Sequence, residues 1–284
     1  MTAVLLALVA AVGYGISDFL GGVASRRATA LAFVVASYPL SLVMALAIAP
    51  FAGGDVTAKS LVWGAASGLF GGFAVWWFYR ALASGPMSVV SPVTALLVAG
   101  IPALAGLAAG ERPGPLAVVG IVVALVAVVF VSRESQETVG GDDHPIFTLR
   151  VAGLTVAGGV AFALTFISLD QVPDGTGLWP LVIQRLAASA VVWGAAVAMR
   201  QFSGPPRMLY PHVVAVALLD VVANAAMLFA FQGGMLSLVS VVGALYPAAT
   251  VLLALVVLGE RLGRGQYAGM ALALTAVVMI TLAT

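Results

Sequence analysis

Asp220 and Asn224 stand four residues apart in an otherwise apolar run, a spacing that places both on one helical face. An ionisable group in such a run is expensive to keep there, and these residues mark substrate or ion paths by default. The chemistry on offer is capture of an ammonium group or a coupling proton by the Asp220 carboxylate. The competing reading makes Asp220 the ion-pair partner of Arg185, joining two helices. Arg185 leads a stripe with Ser189 and Trp193 at four-residue steps, and its guanidinium suits a carboxylate in two-pronged geometry. Its place near the start of its run also allows the side chain to snorkel to an interface.

Other residues extend the candidate set. Trp76 and Tyr79, three apart, suit either the wall of a cavity for an aromatic or cationic cargo or an interfacial aromatic belt. Tyr14 and Ser17 fall in Gly13-Tyr14-Gly15-Ile16-Ser17-Asp18, which interrupts the first apolar run. Asp18 is expected at that helix's end, facing water or Arg26. Tyr246 precedes Pro247 in a stripe of Ser240, Gly243 and Thr250, while Pro92 and Pro102 share a run with Ser91 and Thr94. Proline frees backbone carbonyls, which in a membrane must face protein or water, so Pro92 and Pro247 are hinge candidates. Gly64, Gly68 and Gly71 form a small-residue ridge for close helix packing.

Several chemistries are excluded. There is no cysteine, and the two histidines, His144 and His212, are too separated to suggest a metal site. The apolar runs hold no nucleophile with its base, so an intramembrane enzyme is not expected, nor is any cofactor. The single lysine, Lys59, follows no glycine-rich phosphate loop. A net charge of +1 is too balanced for nucleic-acid binding.

The elements that carry these residues are membrane spans. The chain of 284 residues is 62% hydrophobic and 8% charged, with a mean hydropathy of +1.15. A soluble domain carries about a quarter charged residues, so this apolar surplus has no water-soluble solution. Runs long enough to cross a bilayer lie at about 2–23, 30–50, 60–82, 87–109, 115–132, 149–169, 178–199, 210–232, 237–258 and 264–283. Residues 133–148 read as a polar linker.

The chain is duplicated. Shifted by 149 residues, Ala81-x3-Gly85-x2-Ser88-x-Val90-Ser91 falls on Ala230-x3-Gly234-x2-Ser237-x-Val239-Ser240. Gly110-Glu111-Arg112-x-Gly114 falls likewise on Gly259-Glu260-Arg261-x-Gly263. About 20 of 53 aligned positions are identical over 80–132, against roughly 6 expected from the skewed composition. Each Glu of that motif adjoins an Arg at a helix boundary, where capping is the expected role. Five spans per half is an odd number, so the halves enter the membrane in opposite directions, as in many secondary transporters. Nine basic residues fall on one side (Arg26, Arg27, Arg80, Arg133, Arg150, Arg200, Arg207, Arg261, Arg264) and Lys59 and Arg112 on the other. The positive-inside rule then places both termini outside.

The paired motifs resemble the drug/metabolite transporter superfamily, specifically its ten-helix EamA-like members. The residues that carry the resemblance are Phe78-Tyr79-Arg80-Ala81-Leu82-Ala83-x-Gly85, Ser88-Val89-Val90-Ser91-Pro92, Leu245-Tyr246-Pro247 and Leu258-Gly259-Glu260-Arg261-Leu262. Membership implies movement of small polar or amphipathic metabolites, commonly outward, and termini in the cytoplasm, opposite to the arginine count. The expected protein is therefore all-α, with five-helix repeats at 1–132 and 149–284 in a plasma or inner membrane. It is expected to act as a monomer or homodimer on a small molecule such as an amino acid or related compound, most simply as an exporter by alternating access. A sugar or nutrient uptake carrier and a non-transporting receptor or scaffold are the alternatives. The cavity is expected among segments one, three, four, six, eight and nine.

Overall fold

In the computed structural model the described residues are 1–25, 28–132, 148–201, 204–259 and 263–284. Arg26, Arg27, Arg133, His144, Glu260 and Arg261, with nearly all of the expected linker, lie outside them.

The ten apolar runs form ten spans, and no strand occurs among the described residues. In order these are α1 (Thr2–Ser25), α2 (Ala30–Ile48), α3 (Ala58–Ser84), α4 (Met87–Ala108), α5 (Pro115–Ser132), α6 (Leu149–Asp170), α7 (Trp179–Ala198), α8 (Tyr210–Gly233), α9 (Leu236–Gly243), α10 (Tyr246–Leu258) and α11 (Arg264–Ala283). A helix satisfies its own backbone inside hydrocarbon, which is why a chain of this composition spans as helices. Helix starts follow capping chemistry. Thr57 and Ser60 exchange backbone-to-side-chain bonds of 3.1 Å ahead of α3, and Thr29 and Thr148 cap α2 and α6.

Two expectations about interruptions change. The first span is unbroken through Gly13 to Asp18. Its glycines serve close approach instead: a Cβ on Gly15 would stand 2.7 Å from the Tyr246 carbonyl oxygen, and Thr250 Oγ1 donates to the Gly15 carbonyl at 3.1 Å. The ninth span is the broken one. It divides at Ala244-Leu245 into α9 and α10, with Pro247 in the first turn of α10. A proline ring collides with the carbonyl four residues back, here that of Gly243, so the helix cannot continue across this point. The repeat-related position of Pro247 is Val98, and α4 runs through unbroken with Pro92 and Pro102 inside it.

The two halves interdigitate. α3 packs on α6 and α7, α1 on α8 and α10, and α5 on α11, so most helices find their main partners in the other half. Glycine contacts show the underlying twofold relation. A Cβ on Gly120 would meet Ile280, and a Cβ on Gly269 would meet Val131; each pair is the other displaced by 149. The interior is built of small residues, alanine above all, while large side chains such as Val9, Val62, Leu186, Val256 and Leu274 point outward. That is the packing a lipid-facing bundle needs, because lipid supplies no hydrophobic drive between helices and close backbone approach must replace it.

The expected glycine ridge on α3 divides its work. Gly64, Gly68 and Gly72 face α7 at Pro180, Gln184 and Val191, whereas Gly71 faces Thr165 on α6. The positions on α8 that correspond to Gly64, Gly68 and Gly72 are Val213, Ala217 and Val221, and α2 packs on α8 less closely than α7 on α3.

Candidate functional site

At the centre of the bundle, Arg185 on α7 pairs with Asp220 on α8 through Nη1 and Oδ2. Arg185 is only 5% exposed, so it does not snorkel to an interface. Asn224, one turn after Asp220, donates to its Oδ1 at 3.1 Å and to its carbonyl at 2.8 Å. Burying an ion pair requires that its remaining donors and acceptors be satisfied, and the surroundings do most of this. Arg185 Nη2 reaches Gln184 Oε1 at 3.4 Å, Gln184 Nε2 donates to Ser67 Oγ at 2.8 Å, and Ser67 donates to the Thr165 carbonyl at 3.0 Å. One polar chain thus links α8, α7, α3 and α6. The Tyr38 ring on α2 lies 5.5 Å from the Arg185 guanidinium, and Ser41, a turn further on, stands beside the Asp220 carboxylate.

Around this pair lies a second group. Tyr14 and Asp18 share a face of α1, one turn apart. Asp18 lies about two turns inside the helix end, not at it. It is exposed, yet it stands within electrostatic range of Asp220, Tyr14, Tyr38, Tyr79 and Tyr246. Among the described residues nothing pairs with its carboxylate or hydrogen-bonds it, and none of those four phenols is hydrogen-bonded. The exposed carboxylate and the four half-buried phenols thus form one polar cluster within the helix bundle. With the Arg185–Asp220 pair, the polar cluster draws on α1, α2, α3, α7, α8 and α10.

The other expected residues divide. Asp220, Asn224, Arg185, Tyr14, Tyr79 and Tyr246 come together. Ser17 is half-buried beside Asp18 and hydrogen-bonds no described residue. Trp76 turns the other way: its indole donates to Met199 at 3.2 Å and its ring carries Arg80 at 5.9 Å. Trp193 donates to the Val35 carbonyl at 3.0 Å, tying α7 to α2, and the Ser189 hydroxyl is buried without a partner. Pro92 is buried within α4. Glu111 reaches across the halves to cap α9, accepting from the backbone N–H groups of Leu236 at 2.6 Å and Ser237 at 3.0 Å.

Sequence reasoning passed over Tyr38, Gln184 and Ser67 and placed Asp18 wrongly. Signals existed. Asp18 falls inside the first apolar run, and Tyr38-Pro39 repeats the Tyr246-Pro247 dipeptide.

Ten spans in two inverted halves, meeting around buried charge, form an architecture found in many secondary transporters. The comparisons agree. The EamA-like transporter family matches residues 1–133 and 149–282, and the chain belongs to that family, which makes it a membrane transporter of the drug/metabolite type. A solved structure described only as "Crystal structure of protein" superposes with a TM-score of 0.76 at 17% identity, covering 99% of this chain and 96% of that one. At that identity the likeness concerns the fold alone. No curated protein matches the chain.

Proposed function

We propose that the protein is a secondary transporter, most simply an exporter, that carries a small metabolite such as an amino acid or related compound by alternating access. The two working units are residues 1–132 and 149–284, joined by 133–148, in a plasma or inner membrane. The observation that carries this reading is the one-sidedness of the site. Asp18, Tyr79, Arg185, Asp220 and Tyr246 have repeat partners Ile167, Leu228, Ala36, Gly71 and Leu97. A symmetric backbone thus surrounds a single polar site, as expected where two mirrored halves rock about one cargo. The tight α3–α7 contact and the looser α2–α8 contact fit a state closed on one side and open on the other. The α9–α10 break with Pro247 offers a joint for that motion, and Pro92, inside the unbroken α4, is the second hinge candidate.

The test is flux in reconstituted vesicles with imposed proton and cargo gradients. Uphill or counterflow movement of a metabolite supports the reading, and its direction separates an exporter from an uptake carrier. A folded protein that moves no cargo across a panel of amino acids, sugars, nucleosides and amines sinks it in favour of a receptor or scaffold.

A further inference from the structure

Charge accounting at the site narrows the cargo. Among the described residues the site has three charged groups, of which Asp220 and Arg185 compensate one another, and Asn224 and Gln184 occupy further positions around them. Asp18 is exposed and has no counter-charge among the described residues. The site therefore carries one excess negative charge when both carboxylates are ionised. Both terminal nitrogens of Arg185 already have acceptors, and its partnerless Nε is buried, so among the described residues this guanidinium is committed to Asp220 and Gln184.

The walls around Asp18 point the same way. Tyr14 lies one turn before it on the same face of α1. Gly15 brings α1 against the Tyr246 backbone, which sets that residue beside the Asp18 turn. Tyr38 on α2 and Tyr79 on α3 pack on one cluster of Val34, Val35, Val192 and Ala196 and lie within electrostatic range of Asp18. An aromatic face attracts a cation, most strongly where water is partly excluded, and a phenol oxygen adds an acceptor for an ammonium proton. Four phenol hydroxyls and one carboxylate, none with a hydrogen-bond or ion-pair partner among the described residues, match the surface of an amine.

We infer that the cargo binds as an organic cation, a primary to quaternary amine without a free carboxylate, with its nitrogen held by Asp18 inside the collar of Tyr14, Tyr38, Tyr79 and Tyr246. This rests on the transporter reading above and narrows it: within amino-acid-like compounds, decarboxylated amines fit and zwitterions do not. Arg185 then serves as a fixed strut and not as a carboxylate receptor.

The test uses the full-length purified protein with phenethylamine, tetraethylammonium, phenylacetate and phenylalanine as probes. The two cations are expected to raise the melting temperature and bind measurably, with phenylacetate at least tenfold weaker. Asp18→Asn is expected to weaken cation binding about tenfold or more, whereas Tyr246→Phe, which keeps the ring, loses only a few-fold. A measurement on the unmodified protein guards against a variant that fails to fold. Labelling of Asp18 by a hydrophobic carbodiimide, read by mass spectrometry, is expected to slow with phenethylamine and not with phenylacetate. Tighter binding of phenylacetate or phenylalanine than of the amines, or Asp18 labelling indifferent to amines, overturns the inference. Vesicle flux separates the two failures. Transport of anions or zwitterions alone leaves the transporter reading intact and removes the cation site, while amine binding without flux of any cargo does the reverse.

Discussion

Arg185 and Asp220 bind one another across α7 and α8, and that pairing decides which carboxylate is left for chemistry. Asp220 lies nearest the middle of its apolar run and is the obvious choice from sequence. In the folded protein its charge is matched by Arg185 and its oxygens are held by Asn224. Asp18, nearer its helix end, is the carboxylate that stays open.

Removing one member of the buried pair should be far worse than removing both. Asp220→Asn or Arg185→Met alone strands a desolvated group and is expected to destabilise the protein by about 3–5 kcal/mol. The double variant Arg185→Met with Asp220→Leu should recover much of that loss. Denaturant unfolding in detergent, arranged as a double-mutant cycle, measures the coupling; additive single effects would contradict a direct pair.

The α3–α7 contact depends on the absence of a side chain at Gly68. A Cβ there runs into the Gln184 carbonyl, and backbone cannot give way as a flexible side chain can. Gly68→Ala is expected to cost about 1–3 kcal/mol by overpacking. Gly100→Ala, with nothing within 4 Å of the added carbon, should stay near wild type. Melting temperatures of the two variants, measured side by side, check the contrast.

Glu111 satisfies two orphan N–H groups at the start of α9 from the opposite half of the molecule. Glu111→Ala should lower stability by about 0.5–2 kcal/mol, the range for losing a helix cap. Glu111→Gln, which keeps one acceptor oxygen, is expected to fall between. Hydrogen exchange should show the loss concentrated at the α9 amides; a uniform rise across the chain would contradict a local cap.

Because α3 packs on α6 and α7, and α1 on α8 and α10, the covalent link between halves is not what holds them together. Fragments 1–132 and 149–284 expressed together are expected to copurify in detergent. Separate recovery of each fragment as a folded monomer would show that the interhalf contacts are too weak for this role.

The ten spans, the duplication and the inverted arrangement were all readable from the chain, because length, hydropathy and an offset of 149 residues are one-dimensional signals. The site was only half readable. Asp220, Asn224, Arg185, Tyr14, Tyr79 and Tyr246 stand out as polar or aromatic residues within apolar runs. Tyr38 and Gln184 look no different until helix rotation is known, and hydropathy carries no rotation. Asp18 was misplaced because its turn was taken as a break. Gly13 and Gly15 instead admit Ala223 and the Tyr246–Ala249 turn, so the helix continues for about two turns past Asp18. Trp76 shows the converse, a prominent aromatic that packs against Met199.

The interleaving of the halves also governs how the protein is made. A ribosome adds residues at about 5–20 per second, so α3 waits roughly 5–25 seconds after its own synthesis before α7 is complete. During that interval Ser67 and the glycine face of α3 have no partner, and Asp18 on α1 lacks the surroundings that α8 and α10 later supply. The nascent first half must be sheltered by the insertion machinery or by loosely associated spans. Final assembly is therefore a late event, timed by the last helices to enter the membrane.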